Sequence, residues 1–261
     1  MTPALELVGL HKRFGEVEAL AGASFCVRPG TVHALLGENG AGKSTLMRIA
    51  FGMLRPDDGR LLVHGDEVRF ASSADAIARG IGMVHQHFTL VPAMTVAENV
   101  ALGMRGRYDA RATAARVRTL ARDAGLPLDP EAHVESLPVG AQQRLEIVKA
   151  LARDARLLIL DEPTAVLVPH EVDELLRWVR RFADEGRAVV LITHKLREAL
   201  AIADDVTVLR HGRTARSGAA ADLSESTLVS AMLGDVAAQD LLAPADLGAA
   251  GHPSKREQSL D

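Results

Sequence analysis

Apolar residues along the chain fall into two kinds of run, short continuous ones and longer ones at helical spacing. The short runs predict strands at residues 4–9, 23–28, 32–36, 61–63, 67–70, 81–84, 157–160, 188–192, 206–209 and 214–216. Runs 157–160 and 188–192 have no polar face, the pattern of central parallel strands covered on both sides. Helical spacing predicts helices from Lys43 to Phe51, from a cap at Ser72 or Ser73 to Gly80, and over 110–124 with Gly125 as the stop. Further helices are expected over 169–185, 195–203 and 224–233. Thr95-Val96-Ala97-Glu98 carries a capping box for one more, running to about Leu102. Turn signals stand at Arg28-Pro29-Gly30 and Arg55-Pro56-Asp57-Asp58-Gly59. Hairpins are expected about His64-Gly65-Asp66 and His211-Gly212-Arg213.

From about 91 to 152 the pattern is helical, with no convincing strand. The expected architecture is an α/β core, about 1–90 and 153–235, interrupted by a helical subdomain at about 91–152. Periodicity ends near Val236, and residues 236–261 read as a mobile tail.

Composition narrows the function classes. Net charge is −4 over 261 residues and the pI is about 6.2, which argues against a general electrostatic grip on nucleic acid. Aromatic residues are 3%, so the core must be aliphatic. No run approaches the roughly 18 apolar residues of a membrane span, and no secretory signal is visible. Any membrane part would come from another chain. The single cysteine, Cys26, excludes an intrachain disulfide; lying in an apolar strand, it is expected to be a buried core thiol.

The chemistry starts after run 32–36. Gly37-Glu38-Asn39-Gly40-Ala41-Gly42-Lys43-Ser44-Thr45 fits G-x-x-x-x-G-K-S-T, a phosphate-binding P-loop placed between strand and helix as that motif requires. Glycines let successive N–H groups turn inward on an anion, and the following helix adds its positive end. Lys43 can reach the β- and γ-phosphates, and the Ser44 hydroxyl can ligate Mg²⁺.

Strand 157–160 ends in Asp161-Glu162. A P-loop enzyme needs a carboxylate near the metal, which suits Asp161, and a general base for water, which suits Glu162. His194 follows strand 188–192, where a neutral imidazole can touch the γ-phosphate and position the water. His85-x-His87 has the spacing of a metal pair, but no third ligand stands nearby.

These residues, in this order, resemble the ATP-binding cassette (ABC) ATPases of membrane transporters, over about residues 4–235. The resemblance implies a P-loop NTPase (RecA-like) core sheet, an N-terminal antiparallel β subdomain and the inserted helical subdomain. It implies ATP and Mg²⁺ as cofactors. Phe14 resembles the aromatic that stacks on adenine, and Gln86 the Q-loop glutamine that touches Mg²⁺ and senses the membrane partner. Asp161-Glu162-Pro163-Thr164 resembles the Walker B strand end with its catalytic glutamate, and Thr193-His194 the switch histidine. Finer likeness, in Val84-His85-Gln86-His87-Phe88, Leu137-Pro138-Val139-Gly140 and the stretch 145–151, is to importers of simple sugars and nucleosides. Members of that group commonly carry two cassettes, and this sequence resembles the first alone. The implied partners are a membrane permease, a second cassette (identical or different) and, indirectly, a solute-binding protein, with the chain at the cytoplasmic face of the membrane.

The signature departs from the family's usual Leu-Ser-Gly-Gly-Gln. Leu137-Pro138-Val139-Gly140-Ala141 lacks the Ser hydroxyl, one Gly and the Gln, and Pro138 removes an N–H donor. Val168 stands where the loop after Walker B usually ends in Asp. A cassette's signature completes its partner's site, so this chain's own P-loop keeps its catalytic residues while the site it completes elsewhere is weakened. The permease contact is expected around residues 88–95, where Leu90, Val91, Pro92 and Met94 suit a groove for a short helix, or else pack the chain's own helical core. Two other readings stay open: a nucleotide-binding regulatory half-cassette with little turnover, and a cassette ATPase working on DNA or translation, which the acidic balance disfavours.

Overall fold

In the computed structural model, which describes residues 2–104 and 108–234, the chain opens with a long hairpin of β1 (Leu5–Phe14) and β2 (Val17–Val27). Both strands outrun the expected 4–9 and 23–28. The cause is bulging: the pairing register shifts between Leu7 and Leu10 and again beyond. A bulge resets which residues face inward, so the simple period of two fails while the ladder continues. On β2, Ala21, Ala23, Phe25 and Val27 are buried. Cys26 therefore faces outward and is exposed, not a core thiol.

β3 (Val32–Leu36) is buried along its whole length. It leads through the glycine loop into α1 (Lys43–Ala50). Then come β4 (Asp58–Val63) and β5 (Asp66–Val68), completing an antiparallel sheet of order β2-β1-β4-β5. The expected turn at Asp58-Gly59 is already strand. Gly59 sits at φ +98 with its backbone against the carbonyls of Val8 and Gly9, a close approach only glycine permits. α2 (Ser73–Ala78) is capped at Ser72, whose N–H donates to Asp75 Oδ2 at 3.0 Å, and leads into β6 (Ile81–Val84).

The insertion supplies α3 (Val96–Ala101), α4 (Ala110–Asp123) and α5 (Val139–Leu151). The capping box forms as expected: Thr95 Oγ1 accepts from Glu98 N–H at 3.2 Å and Glu98 Oε2 accepts from Thr95 N–H at 2.8 Å. Leu90 packs into the cluster that includes Val96, Val100, Val117 and Leu145, so that residue serves the chain's own core.

β7 (Leu157–Asp161), α6 (Pro169–Asp184), β8 (Ala188–Ile192), α7 (Leu196–Ile202), β9 (Asp205–Arg210), β10 (Arg213–Ala219) and α8 (Glu225–Leu233) follow. α6 buries one stripe, Leu175, Leu176, Trp178, Val179, Phe182 and Ala183. Each large side chain removed from water there contributes about 1.5–3 kcal/mol. The larger sheet has the order β10-β9-β3-β8-β7-β6, with β10 antiparallel to β9 and the rest parallel. β3 lies between β9 and β8, so the C-terminal ends of β3, β8, β7 and β6 share one edge, where parallel α/β sheets gather their ligands. The expected tail at 236–261 lies outside the described residues.

Candidate nucleotide site

The glycine loop is built by backbone crowding. Gly37 has φ +150, and a Cβ there would collide with the carbonyl oxygen of Leu209. Gly42 has φ +103, and its Cβ would meet the Ala19 oxygen at 2.6 Å. Both positions must be glycine for the loop to close. Gly212 N–H donates to Ala41 O at 3.0 Å, so the β9–β10 turn braces the loop from behind. The sequence marked Gly212 only as a hairpin residue. Ala41 is buried, while Glu38, Asn39 and Gly40 are exposed at the mouth.

Lys43 is 7% exposed; its Nζ donates to Gly37 O at 2.8 Å and Glu38 O at 3.0 Å. Burial pushes its pKa down, against the opposing pull of Glu162, Asp161 and Glu38. The ammonium is thus held in the loop among the carboxylates. Ser44 and Thr45 are half-buried in the first turn of α1.

Parallel register brings the separated motifs together. Leu35 pairs with Ile192, Ile192 with Asp161, and Leu160 with Val84. The residues just beyond, Asp161-Glu162, His194 and Gln86, therefore emerge at the edge where the glycine loop begins. Asp161 is 4% exposed. Burial raises its pKa, the Ser44 hydroxyl beside it opposes that, and Glu162 adds repulsion. Its Oδ1 is buried without a partner. An orphaned carboxylate oxygen next to a serine hydroxyl fits a hard divalent cation. Gln86 is exposed at the same edge.

Glu162 adopts φ +50, left-handed for a non-glycine residue, with its N–H donating to Ile192 O at 3.0 Å. Its Oε1 meets His194 Nδ1 at 2.9 Å, while Oε2 is buried and unpaired. A bolt under this pair was not read from the sequence. Thr164 Oγ1 donates to Glu198 Oε2 at 2.5 Å, and Lys195 Nζ donates to Thr164 O at 3.2 Å and Glu198 Oε1 at 3.0 Å. It ties the turn after Glu162 to the residue after His194. Phe14 stands 47% exposed at the β1–β2 tip, with Lys12 Nζ 5.6 Å from its ring centre. The same hairpin lies against Gly42 through Ala19.

The profile of the ABC transporter family matches residues 20–165, more than half of the chain. The chain belongs to the ABC transporter family. Its relatives include the ribose import ATP-binding protein RbsA 1 of Rubrobacter xylanophilus, 47% identical over 90% of this chain and 48% of that protein. The nucleoside import ATP-binding protein NupA of Lactococcus lactis is 42% identical over 88% and 46%. This ABC chain spans about half the length of the curated relatives it matches. Among solved structures, the ADP conformation of MJ1267, an ATP-binding cassette of an ABC transporter, superposes with a TM-score of 0.79 at 23% identity over 90% of this chain and all of that one. cbiO1 from Clostridium perfringens gives 0.76 at 27% identity over 88% and 94%. The expected P-loop NTPase fold with its antiparallel β sheet is thereby borne out.

The ABC signature segment forms the start of α5, with Pro138 at the cap and no side-chain cap bond. Gln142 Nε2 donates to Leu137 O at 3.0 Å. The start of α5 and the loop after Glu162 carry apolar side chains into solvent: Val139 is 42%, Val166 56% and Val168 49% exposed.

Proposed function

We propose that this chain is the ATP-binding and ATP-hydrolysing cassette of an importer for simple sugars or nucleosides. The observation that carries the reading is the Glu162–His194 contact at 2.9 Å, set at the sheet edge that bears the P-loop. P-loop N–H groups and Lys43 bind the phosphates, and Phe14 takes the adenine. Ser44, Asp161 and Gln86 would hold Mg²⁺, which would supply positive charge to offset the negative charge of the phosphates. Glu162 Oε2 accepts the proton of the attacking water, and His194 fixes the carboxylate through Oε1 while facing the γ-phosphate.

Two chains, or this chain and a different cassette, would close over two nucleotides, and the motion would pass to a permease. A cavity of about 350 Å³, lined by Phe51, His85, Thr89, Leu102 and Lys149, adjoins residues 88–95 and suits that contact. Among the described residues no helix is long and apolar enough to cross a membrane, which agrees with a peripheral position at the cytoplasmic face beside a separate permease. The names of the relatives support the solute class, and they favour the importer over a regulatory half-cassette.

The test is phosphate release by the full chain with MgATP, alone and with membrane proteins that co-purify with it. Turnover that rises with a co-purified permease is the expected result. No turnover under any pairing, with intact MgATP binding, would sustain the regulatory reading.

A further inference from the structure

A buried ion pair on α5 holds the segment that carries Gln86. Glu146 is 3% exposed and Lys149 8%, one helical turn apart, with 3.4 Å between Lys149 Nζ and Glu146 Oε2. Both also grip Thr89, three residues beyond Gln86. Thr89 N–H and Oγ1–H donate to Glu146 Oε1 at 2.5 Å and 3.0 Å. Lys149 Nζ donates to Thr89 O at 3.1 Å and contacts Thr89 Oγ1 at 3.4 Å. Every polar group of one loop residue is thus taken by one pair. Two residues on, Val91 N–H donates to Asn99 Oδ1 at 2.8 Å and Asn99 Nδ2 donates to Val91 O at 3.1 Å, fixing the loop to α3 as well. Only a short span, His85 to Phe88, remains between the end of β6 and these anchors.

Burying two charges is costly, and a loop can be held by neutral bonds at less cost. What the ion pair adds is stiffness: charge-assisted bonds are short and directional, and they are strong away from water. α5 begins at the signature segment and ends next to the core. The pair therefore makes the signature helix and the Gln86 loop one body.

We propose that Glu146 and Lys149 are positioning residues for Gln86, holding through Thr89 the loop that carries it so that its side chain reaches the metal site. The proposal rests on the reading of Gln86 as a metal ligand.

The test measures ATP affinity of the full chain with and without Mg²⁺. It compares wild type, Gln86→Ala, the paired variant Glu146→Leu with Lys149→Met, and all three changes combined. Removing both charges avoids an unpaired buried ion. Removing a support of a metal ligand typically costs about tenfold in metal-dependent affinity. The paired variant should lose about that much of the Mg²⁺-dependent gain, as Gln86→Ala does, with metal-free affinity unchanged and no further loss in the combined variant. In the wild type, hydrogen exchange should show the Thr89 amide protected together with α5. An unchanged Mg²⁺ response in the paired variant, losses that add in the combined one, or a Thr89 amide exchanging at the open-loop rate would overturn the proposal. If Gln86→Ala itself leaves the Mg²⁺ response intact, the metal-ligand reading fails and the proposal with it. Should the paired variant not fold, the wild-type exchange rates decide.

Discussion

Glu171 Oε1 occupies the place where the Cβ of any other residue at Gly140 would lie. Glu171, on α6, also accepts from Val168 N–H at 3.3 Å, so one carboxylate serves the start of its own helix and covers the second residue of α5. The positive end of the signature helix already faces a negative charge. With Pro138 at its cap, that end is a poor donor set for the phosphate of an opposing nucleotide.

Gly140→Ala should push the Glu171 carboxylate aside, a small displacement because that group is the far end of a flexible, half-buried side chain. The bond from Val168 N–H is lost with it, at a cost of about 0.5–1.5 kcal/mol that the better helix propensity of alanine offsets in part. Glu171→Ala loses the same bond, so the double variant should be less destabilised than the sum of the two single ones. Denaturant unfolding of all three measures the coupling, and simple additivity would show that Gly140 accepts a side chain without moving Glu171.

His33 gives the fold a pH dependence in mild acid. It is buried in β3; Nε2 lies 2.8 Å from Thr207 Oγ1, and Nδ1 has no partner. Burial lowers its pKa from 6.5 to about 4, so between those values the unfolded chain binds the extra proton and the folded chain does not. Stability should therefore fall as pH drops from about 6.5 to about 4, by up to ~3 kcal/mol from this residue. Urea midpoints against pH should flatten over that window in His33→Gln. The same slope in the variant would assign the effect elsewhere.

Cys26 should react with a thiol reagent in the folded chain, because it faces outward on β2. The reaction should be slower than that of a free thiol at neutral pH. Partial burial of the sulfur raises its pKa, with Glu6 and Asp205 adding to the shift, and the thiolate is the nucleophile. Labelling only after denaturation would restore the core thiol that the strand pattern suggested.

Much of the site was legible because its chemistry is contiguous in sequence. Residues 37–45 carry their own geometry, and Asp161 and Glu162 end an apolar strand. His194 was legible from its place after strand 188–192, but its contact with Glu162 was not, since nothing local says that a residue 32 positions away will touch it. The bolt of Thr164, Lys195 and Glu198 was invisible, as each is an ordinary polar residue until parallel pairing of β7 and β8 sets them side by side. Glu146 and Lys149 look like a solvated pair on a helix surface, and only the packing of the insertion reveals their burial. In the fold, the extents of β1 and β2 were missed because bulges change the facing of residues without ending the strand. Leu90 was ambiguous between partner groove and core because both want the same apolar side chain; it packs in the core, while Val91 stays exposed.

The central claim is that Glu162, held by His194, is the base that activates water over the P-loop. Its most direct test is steady-state phosphate release by the full chain with its co-purified partners, comparing wild type with Glu162→Gln and measuring MgATP binding in parallel. A general base contributes about 10²–10⁴ in rate, so turnover should fall by about a hundredfold or more while MgATP still binds. Turnover that survives the substitution unchanged would contradict the assignment.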